Sequence, residues 1–183
     1  MDEGRSADEK WDAEGVELIR RRARDPRGTP EYTVDLILRL EDGTCLYQGG
    51  KRVAEDYRKL MELGLGTVVN CTHNQERPDW LWRQQAPSWL RFKVSDAPWL
   101  GRRYMLEFFQ PLFDVVDGAR RRGTNLLVHC RSGAHRAGCA MCAVFMRELR
   151  LRPEQAMAHV QSKRVVTHVF GDLFTTLTRL WGE

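Results

Sequence analysis

The sequence predicts an α/β fold in which a central, mostly parallel sheet is flanked by helices on both faces. Segments of strand character alternate with amphipathic segments of helix length, as expected when helices connect parallel strands. The segments 66–72 and 125–129 are short apolar runs, typical of strands that are buried on both faces. A length of 183 residues and an apolar content of 42% suffice for one domain with a substantial core.

The first half of the domain is predicted to begin with a hairpin. Segments 32–40 and 44–50 both have strand character, and the Glu-Asp-Gly sequence between them is a strong turn signal. A helix is predicted over 53–64, with Gly64 as its C-cap. The β-branched segment 66–72 follows as the next strand.

The second half continues the alternation. Segment 89–96 is predicted to be a strand, and 102–123 a long helix that Pro111 must kink or restart. The strand 125–129 comes next. Three further helices are predicted at about 135–150, 153–162 and 168–181.

We interpret residues 1–30 as a charged, partly helical extension and 31–183 as one folded domain. Residues 8–24 have an amphipathic pattern that ends at the Pro- and Gly-rich segment RDPRGTP. This extension is either a docking or regulatory element or a helix packed on the domain. The basic runs 19–27, 119–123 and 162–164 are expected to be solvated helix faces or ends.

Composition limits the classes of partner. The 29 basic and 25 acidic residues give a net charge of +4, which is too small to indicate a stable nucleic-acid complex. No apolar run approaches the ~18 residues of a membrane span. The acidic N-terminus is unlike a secretory signal, and we expect a cytoplasmic protein that can also be nuclear. The oligomeric state is left open.

The five cysteines are predicted to be reduced thiols, because their number is odd. A zinc site is the competing interpretation, since histidines and cysteines are close together between 129 and 142. Cys139 and Cys142, however, lie in the apolar, helical segment AGCAMCAVF, whereas zinc ribbons place such pairs in turns. We therefore predict no metal.

The segment HCRSGAHR (129–136) carries the chemistry. Cys130 ends a buried strand, and the turn 131–135, made permissive by Gly133, can point several backbone N–H groups at an anion. The same positive field favours a thiolate at Cys130, and Arg136 can hold two phosphate oxygens. A thiolate beneath a bound phosphate is positioned for attack on phosphorus. The alternative is a buried structural cysteine with Arg136 on the surface.

This segment matches His-Cys-x-x-Gly-x-x-Arg, the signature of the cysteine-dependent protein tyrosine phosphatase superfamily. Segments 46–72 and 162–164 resemble the small atypical dual-specificity branch, and the resemblance covers roughly residues 32–181. It implies that 31–183 is a phosphatase-like catalytic domain. It implies that Cys130 is the nucleophile, that no metal or organic cofactor is needed and that the partner is a phosphorylated protein or another phosphomonoester. It also implies that the phosphoryl group is held by Arg131, Ser132, Gly133, Ala134, His135 and Arg136.

The resemblance further implies two supporting roles. His129 would hydrogen-bond near the loop and help to lower the pKa of the Cys130 thiol. The general acid would be an aspartate after the strand that precedes the long helix, where this chain has Asp96; Asp79 and Glu76 are the alternatives.

The chain departs from the family pattern at Ala137, where dual-specificity enzymes usually carry Ser or Thr. The phosphatases of regenerating liver also have alanine there, which implies slow hydrolysis of the cysteinyl-phosphate. Those enzymes resemble this chain at Cys71 too, where a cysteine within disulfide reach of the nucleophile protects it from irreversible oxidation. The alternative for Cys71 is a small buried core residue.

Three functional hypotheses follow. The first is a phosphatase for phosphotyrosine and phosphoserine or phosphothreonine in proteins. The second is a phosphoinositide or RNA 5′-phosphatase, which the charges of Arg131 and His135 favour. The third is a low-turnover phosphoprotein-binding module, which Ala137 favours. Four tryptophans at 80, 82, 89 and 99 are expected to be mainly core, with a place at the pocket mouth as the alternative.

Overall fold

The computed structural model describes residues 28–72, 77–92, 98–169 and 171–182, and for 98–106, 172 and 182 only the backbone. The strands are β1 Val34–Arg39, β2 Cys45–Gly49, β3 Leu65–Asn70, β4 Ser88–Arg91 and β5 Asn125–His129. The helices are α1 Lys51–Glu55, α2 Tyr57–Glu62, α3 Pro98–Arg122, α4 Arg136–Leu149, α5 Pro153–Lys163 and α6 Gly171–Gly182. Two 3₁₀ turns, Pro30–Tyr32 and Asp79–Trp82, complete the described elements.

The five strands form one sheet in the order β1-β2-β5-β3-β4. The β1–β2 hairpin is antiparallel, and all other pairs are parallel. Strand β5 is central, because it pairs with β2 on one side and with β3 on the other. The predicted α/β class with a mostly parallel sheet flanked by helices is confirmed.

Two apolar clusters cover the two faces of the sheet. The larger one contains α3, α4 and α6 residues with the β5 side chains Leu126 and Val128. The smaller one packs α1, α2 and Trp80 against Leu127 of the same strand. Because successive strand residues point to opposite faces, the all-apolar sequence of β5 is explained by burial on both sides.

Three predicted boundaries need correction. The helix predicted over 53–64 is two short helices, because Asp56 has extended backbone and its Oδ1 accepts a hydrogen bond from the N–H of Lys59 at 3.2 Å, so that it caps α2. Helix α3 continues through Pro111, so that of the two outcomes expected there, a kink or a restart, the restart does not occur. The strand predicted over 89–96 ends at Arg91 in the structure.

The predicted extension 1–30, including the helix over 8–24, lies outside the described residues apart from Gly28, Thr29 and Pro30. In the part of the chain that the structure describes, none of the helices combines the length and apolarity that a bilayer crossing needs.

Candidate active site

The site lies where the central strand ends. Cys130 follows the last residue of β5, and the loop 131–135 leads directly into α4. The neighbouring strand β3 ends beside it, and the N–H of Cys71 donates to the carbonyl of His129 at 2.8 Å. The carboxyl ends of parallel strands in an open α/β sheet are the usual place for a ligand. Cys130 itself is buried, with only 2% of its surface exposed.

Gly133 is required by two features of the loop. Its φ is +64°, a conformation that side chains with a Cβ rarely adopt. A Cβ at this position would also lie 2.3 Å from the carbonyl oxygen of Gly49 at the end of β2. The signature glycine therefore allows both the turn and the close approach of the loop to the sheet.

The carbonyl groups of the loop are bound from outside. Backbone N–H groups bind the two ends of the loop: Lys51 donates to the carbonyl of Arg131 at 2.8 Å, and His168 donates to the carbonyl of Ala134 at 3.2 Å. Arg164 binds the middle, where Nη2 donates to the carbonyl of Ser132 and Nε to the carbonyl of Gly133, both at 2.8 Å. Nε2 of Gln48 also donates to the carbonyl of Gly133, at 2.7 Å. In a trans peptide unit the N–H points opposite to the preceding carbonyl. The N–H groups of residues 132–135 are therefore turned away from these donors, and such an arrangement forms a cradle for an anion.

Arg164 is the centre of this support, contrary to the prediction for the basic run 162–164. The basic run 162–164 was expected to be solvated, but the side chain of Arg164 is fully buried. Its guanidinium contacts the carbonyls of Ser132 and Gly133 on the side of the loop. The resemblance of this run to the basic turn of the dual-specificity branch was the only signal in the sequence, and it gave no contacts.

The other side of the Arg164 guanidinium reaches the first strand and the segment before it. Nη1 donates to Oγ1 of Thr33 at 3.0 Å and forms an ion pair with Oδ2 of Asp35 at 2.7 Å. Nη2 also donates to the carbonyl of Pro30 at 3.0 Å. Buried charge is tolerated when it is paired and hydrogen-bonded, and this arginine meets both conditions.

Arg136 is the first residue of α4, half-buried, and it is close enough to His129 and Cys71 to influence the pKa of both. Arg136 thus lies near the residues where β3 and β5 end. Arg131 points outward instead, with 79% of its side chain exposed. Ser132 and His135 are half-buried, and Ala134 is buried. The roles proposed for these residues stay predictions.

His129 is neutral at physiological pH. Burial lowers the pKa of His129 to about 4, and the nearby charges of Arg136 and Lys51 act in the same direction. A neutral imidazole contributes no positive charge to the Cys130 thiolate. The predicted assistance of His129 to the thiolate would therefore have to come from hydrogen bonding or from its position.

Cys71 is fully buried beside Cys130. Burial raises the pKa of the Cys71 thiol far above its usual range, and the proximity of Cys130 raises it further. Cys71 is thus a thiol under conditions where Cys130 would react. All five cysteines are free in this structure, and Cys139 and Cys142 are core residues of α4. The disulfide between Cys71 and Cys130 stays a prediction.

Of the three candidate general acids, Asp79 belongs to the described residues. Asp96 and the alternative Glu76 lie outside them, and Asp79 is exposed in the first turn of the 3₁₀ segment 79–82. Ala137 is completely buried in the first turn of α4, directly behind the loop.

The tryptophans divide between core and surface. Trp80 is core, and its Nε1 donates to the carbonyl of Ala54 at 2.8 Å. Trp82 is 80% exposed, Trp89 is half-buried, and the side chain of Trp99 lies outside the described residues.

A buried cysteine at the end of the central strand, a loop whose carbonyls are bound from outside and an arginine at the start of the next helix match the arrangement expected of a cysteine-dependent phosphatase. The comparisons with known proteins give the family within this class. The chain belongs to the dual specificity phosphatase family, because the model of its catalytic domain matches residues 46–177.

Individual relatives agree with this assignment. Human dual specificity phosphatase 28 is 29% identical over 121 residues, which are 66% of this chain and 65% of the relative. Bovine dual specificity protein phosphatase 26 is 29% identical over 122 residues, which are 65% of this chain and 56% of the relative. The chain thus spans less than two thirds of the length of these two proteins.

Solved structures of dual specificity phosphatases have a similar fold. The crystal structure of human DUSP28 has a TM-score of 0.66 at 25% identity, covering 80% of this chain and 93% of that chain. A mouse putative dual specificity phosphatase, crystallised with zinc tungstate, has a TM-score of 0.66 at 26% identity, covering 75% and 82%.

Proposed function

We propose that this chain is a cysteine-based phosphatase that hydrolyses phosphomonoesters of tyrosine and of serine or threonine in proteins. One observation carries the proposal. Every carbonyl of the loop 131–134 is bound from outside, so that the intervening amides face a cradle beside Cys130. A cysteine with a merely structural role would not require this backbone arrangement.

The first chemical step is transfer of the phosphoryl group to the protein. The thiolate of Cys130 attacks phosphorus, the S–P bond forms and the P–O bond to the leaving alcohol or phenol breaks. The loop amides and Arg136 hold the equatorial oxygens, where charge is distributed in the transition state. A general acid gives its proton to the leaving oxygen, and Asp96 is proposed for this role.

The second step releases inorganic phosphate. Water attacks phosphorus, the S–P bond breaks and the thiolate of Cys130 is regenerated, while the same carboxylate accepts the proton of the water. Ala137 supplies no hydroxyl to assist the departing thiolate. We therefore propose that hydrolysis of the cysteinyl-phosphate limits the turnover.

The test is a phosphate-release assay with a small aryl phosphate and with phosphotyrosine and phosphothreonine peptides. Cys130→Ser should abolish release, and Asp96→Ala should lower it by about 10²-fold or more. Ala137→Ser should raise the steady-state rate and remove a burst of the first product. Absence both of release and of phosphate trapped on Cys130 would reject the catalytic proposal in favour of a phosphoprotein-binding module.

A second candidate, a phosphatase for phosphoinositides or RNA 5′-ends, is suggested by Arg131 and His135 at the variable loop positions. The assay therefore includes a phosphoinositide and a 5′-triphosphorylated RNA. A cytoplasmic location, also extending to the nucleus, is proposed from the five free thiols; imaging of the tagged chain tests it.

A further inference from the structure

One basic residue of the loop is matched by a carboxylate that comes from a distant part of the chain. Nε of Arg131 lies 3.0 Å from Oε1 of Glu31. Glu31 belongs to the 3₁₀ turn Pro30–Tyr32, a hundred residues earlier in the sequence. The charge that Arg131 was expected to offer to densely anionic ligands is therefore compensated.

The position of Glu31 is fixed by the scaffold of the loop itself. Nη2 of Arg164 donates both to the carbonyl of Pro30 (3.0 Å) and to the carbonyl of Ser132 (2.8 Å). A single nitrogen thus joins the residue before Glu31 to the residue after Arg131. The N–H of Gly50 also donates to the carbonyl of Thr33 at 3.1 Å, which ties the other end of the turn to the end of β2.

The next helix continues the same pattern of compensation. The N–H of Lys51 binds the carbonyl of Arg131, which brings the start of α1 to the loop. In this helix Glu55 pairs with Lys51 at 3.5 Å and with Arg52 at 3.0 Å. The pKa of Arg52 is raised by Glu55 and, to a smaller extent, by Tyr32 and Glu31. We call the five charged side chains the rim: Glu31, Lys51, Arg52, Glu55 and Arg131.

Charge in the rim nearly cancels. Three cations face two carboxylates, so the net charge of the rim is +1. One phosphate group needs the loop amides and Arg136, which are separate from the rim. Every further phosphate of a larger ligand would have to compete with the rim carboxylates for cations that are already paired, and with Glu31 for Arg131 in particular.

We propose that Glu31 is a specificity-determining residue, which restricts this site to single phosphomonoesters in proteins and disfavours ligands that carry several phosphates. The inference rests on the proposed phosphatase function, whose substrate class it specifies. Removing the charge of Glu31 frees Arg131 for a second phosphate. Because the pair is exposed, the expected change is about threefold to fivefold, within the range of surface ion pairs.

The experiment compares Glu31→Gln, Arg131→Gln and the double variant in the full chain. The control is Glu62→Gln, which removes the same charge from another surface ion pair, to Lys59 at 2.9 Å in α2, outside the rim. The substrates are a phosphotyrosine peptide with neutral flanks, a short-chain phosphoinositide with two ring phosphates and a 5′-triphosphorylated RNA. The measured quantity is the ratio of kcat/KM for each polyanion to kcat/KM for the peptide.

Glu31→Gln should raise this ratio about threefold to fivefold at low salt, and the gain should decline as salt is added. It should disappear in the double variant, because the effect requires Arg131. Glu62→Gln should leave the ratio unchanged. An unchanged ratio in Glu31→Gln, or a gain that persists without Arg131, would overturn the proposal. A wild-type chain that already prefers the phosphoinositide or the RNA would do the same.

A second arm does not depend on turnover. In the Cys130→Ser background, orthophosphate and pyrophosphate affinities are measured for the same variants. Glu31→Gln should strengthen pyrophosphate binding about threefold to fivefold and leave orthophosphate binding within twofold. If the chain with Cys130 intact releases no phosphate but the variants show this selectivity in binding, the proposed catalysis alone is rejected. If the chain with Cys130 intact releases phosphate but Glu31→Gln does not change the preference for pyrophosphate over orthophosphate, the role of Glu31 alone is rejected.

Discussion

Replacement of Arg164 by lysine should separate the charge of this residue from its geometry. The guanidinium forms five hydrogen bonds, to the side chains of Thr33 and Asp35 and to the carbonyls of Pro30, Ser132 and Gly133. A lysine keeps the positive charge near Asp35. Its single nitrogen cannot span the two loop carbonyls and the first strand at once.

The magnitude follows from the burial of this site. Removal of one partner from a buried ion pair costs about 3–5 kcal/mol, so Arg164→Met should lower the free energy of unfolding by that amount. In a chain of this size, that corresponds to a melting temperature lower by about 6–20 °C. Arg164→Lys should cost about 2 kcal/mol or more, because an ammonium group has three donors and loses at least two of the five hydrogen bonds, at about 1 kcal/mol each.

The decisive measurement is anion affinity in Arg164→Lys. Release of the loop carbonyls should leave the amides of residues 132–135 less well aligned, and vanadate affinity should drop about tenfold, equivalent to about 1.4 kcal/mol. Urea unfolding followed by tryptophan fluorescence gives the stability in the same samples. Arg58→Lys, at an exposed position of α2, is the control. Wild-type vanadate affinity in a folded Arg164→Lys variant would refute the argument that outward tethering forms the cradle.

Three further predictions follow from the same region. Gly133→Ala should abolish vanadate binding. It should also destabilise the chain by more than the about 1–2 kcal/mol that a left-handed alanine costs, because its Cβ would meet the backbone of Gly49. Gly43→Ala is the control: its φ is +88° but the space around it is open, so urea unfolding should show only the conformational cost. Peroxide should produce a disulfide between Cys71 and Cys130, which peptide mass spectrometry detects. Reductant should then restore activity in the wild type and in the control Cys45→Ser, but not in Cys71→Ser. Irreversible loss of activity in all three proteins would contradict this pairing. The free energy of unfolding should fall by about 2 kcal/mol between pH 7 and pH 5, because the pKa of His129 is about 4 in the folded state and about 6.5 in the unfolded state, which therefore takes up the proton first. His129→Asn should remove this pH dependence. An unchanged pH dependence in that variant would exclude His129 as its source.

The fold and the loop could be predicted because their signals are local. The strand 125–129, the glycine at position 133 and the arginine six residues after Cys130 follow one another in sequence. Periodicity gave the order of strands and helices, since each element satisfies its own pattern. The boundary of an element was predicted wrongly where one side chain ends or begins a helix. Asp56 is the example, because its side chain caps α2 and so divides the helix predicted over 53–64.

Arg164 could not be predicted in the same way, because its partners are far away in sequence. Gly133 is 31 residues before it, and Thr33, Asp35 and Pro30 are 131, 129 and 134 residues before it. No periodicity links such positions. A basic run in an otherwise ordinary sequence favours a solvated surface, and only the folded sheet brings the buried acceptors to this arginine.

The same arginine connects a general property of the site with a particular one. Through Ser132 and Gly133 it orients the amide cradle, which any phosphomonoester requires. Through Pro30 it fixes the turn from which Glu31 reaches Arg131. Substitutions at Glu31 should therefore change which anions bind with little effect on the cradle, whereas substitutions at Arg164 should weaken every anion. Arg164→Lys should accordingly lower orthophosphate and pyrophosphate affinity together, while Glu31→Gln changes only their ratio.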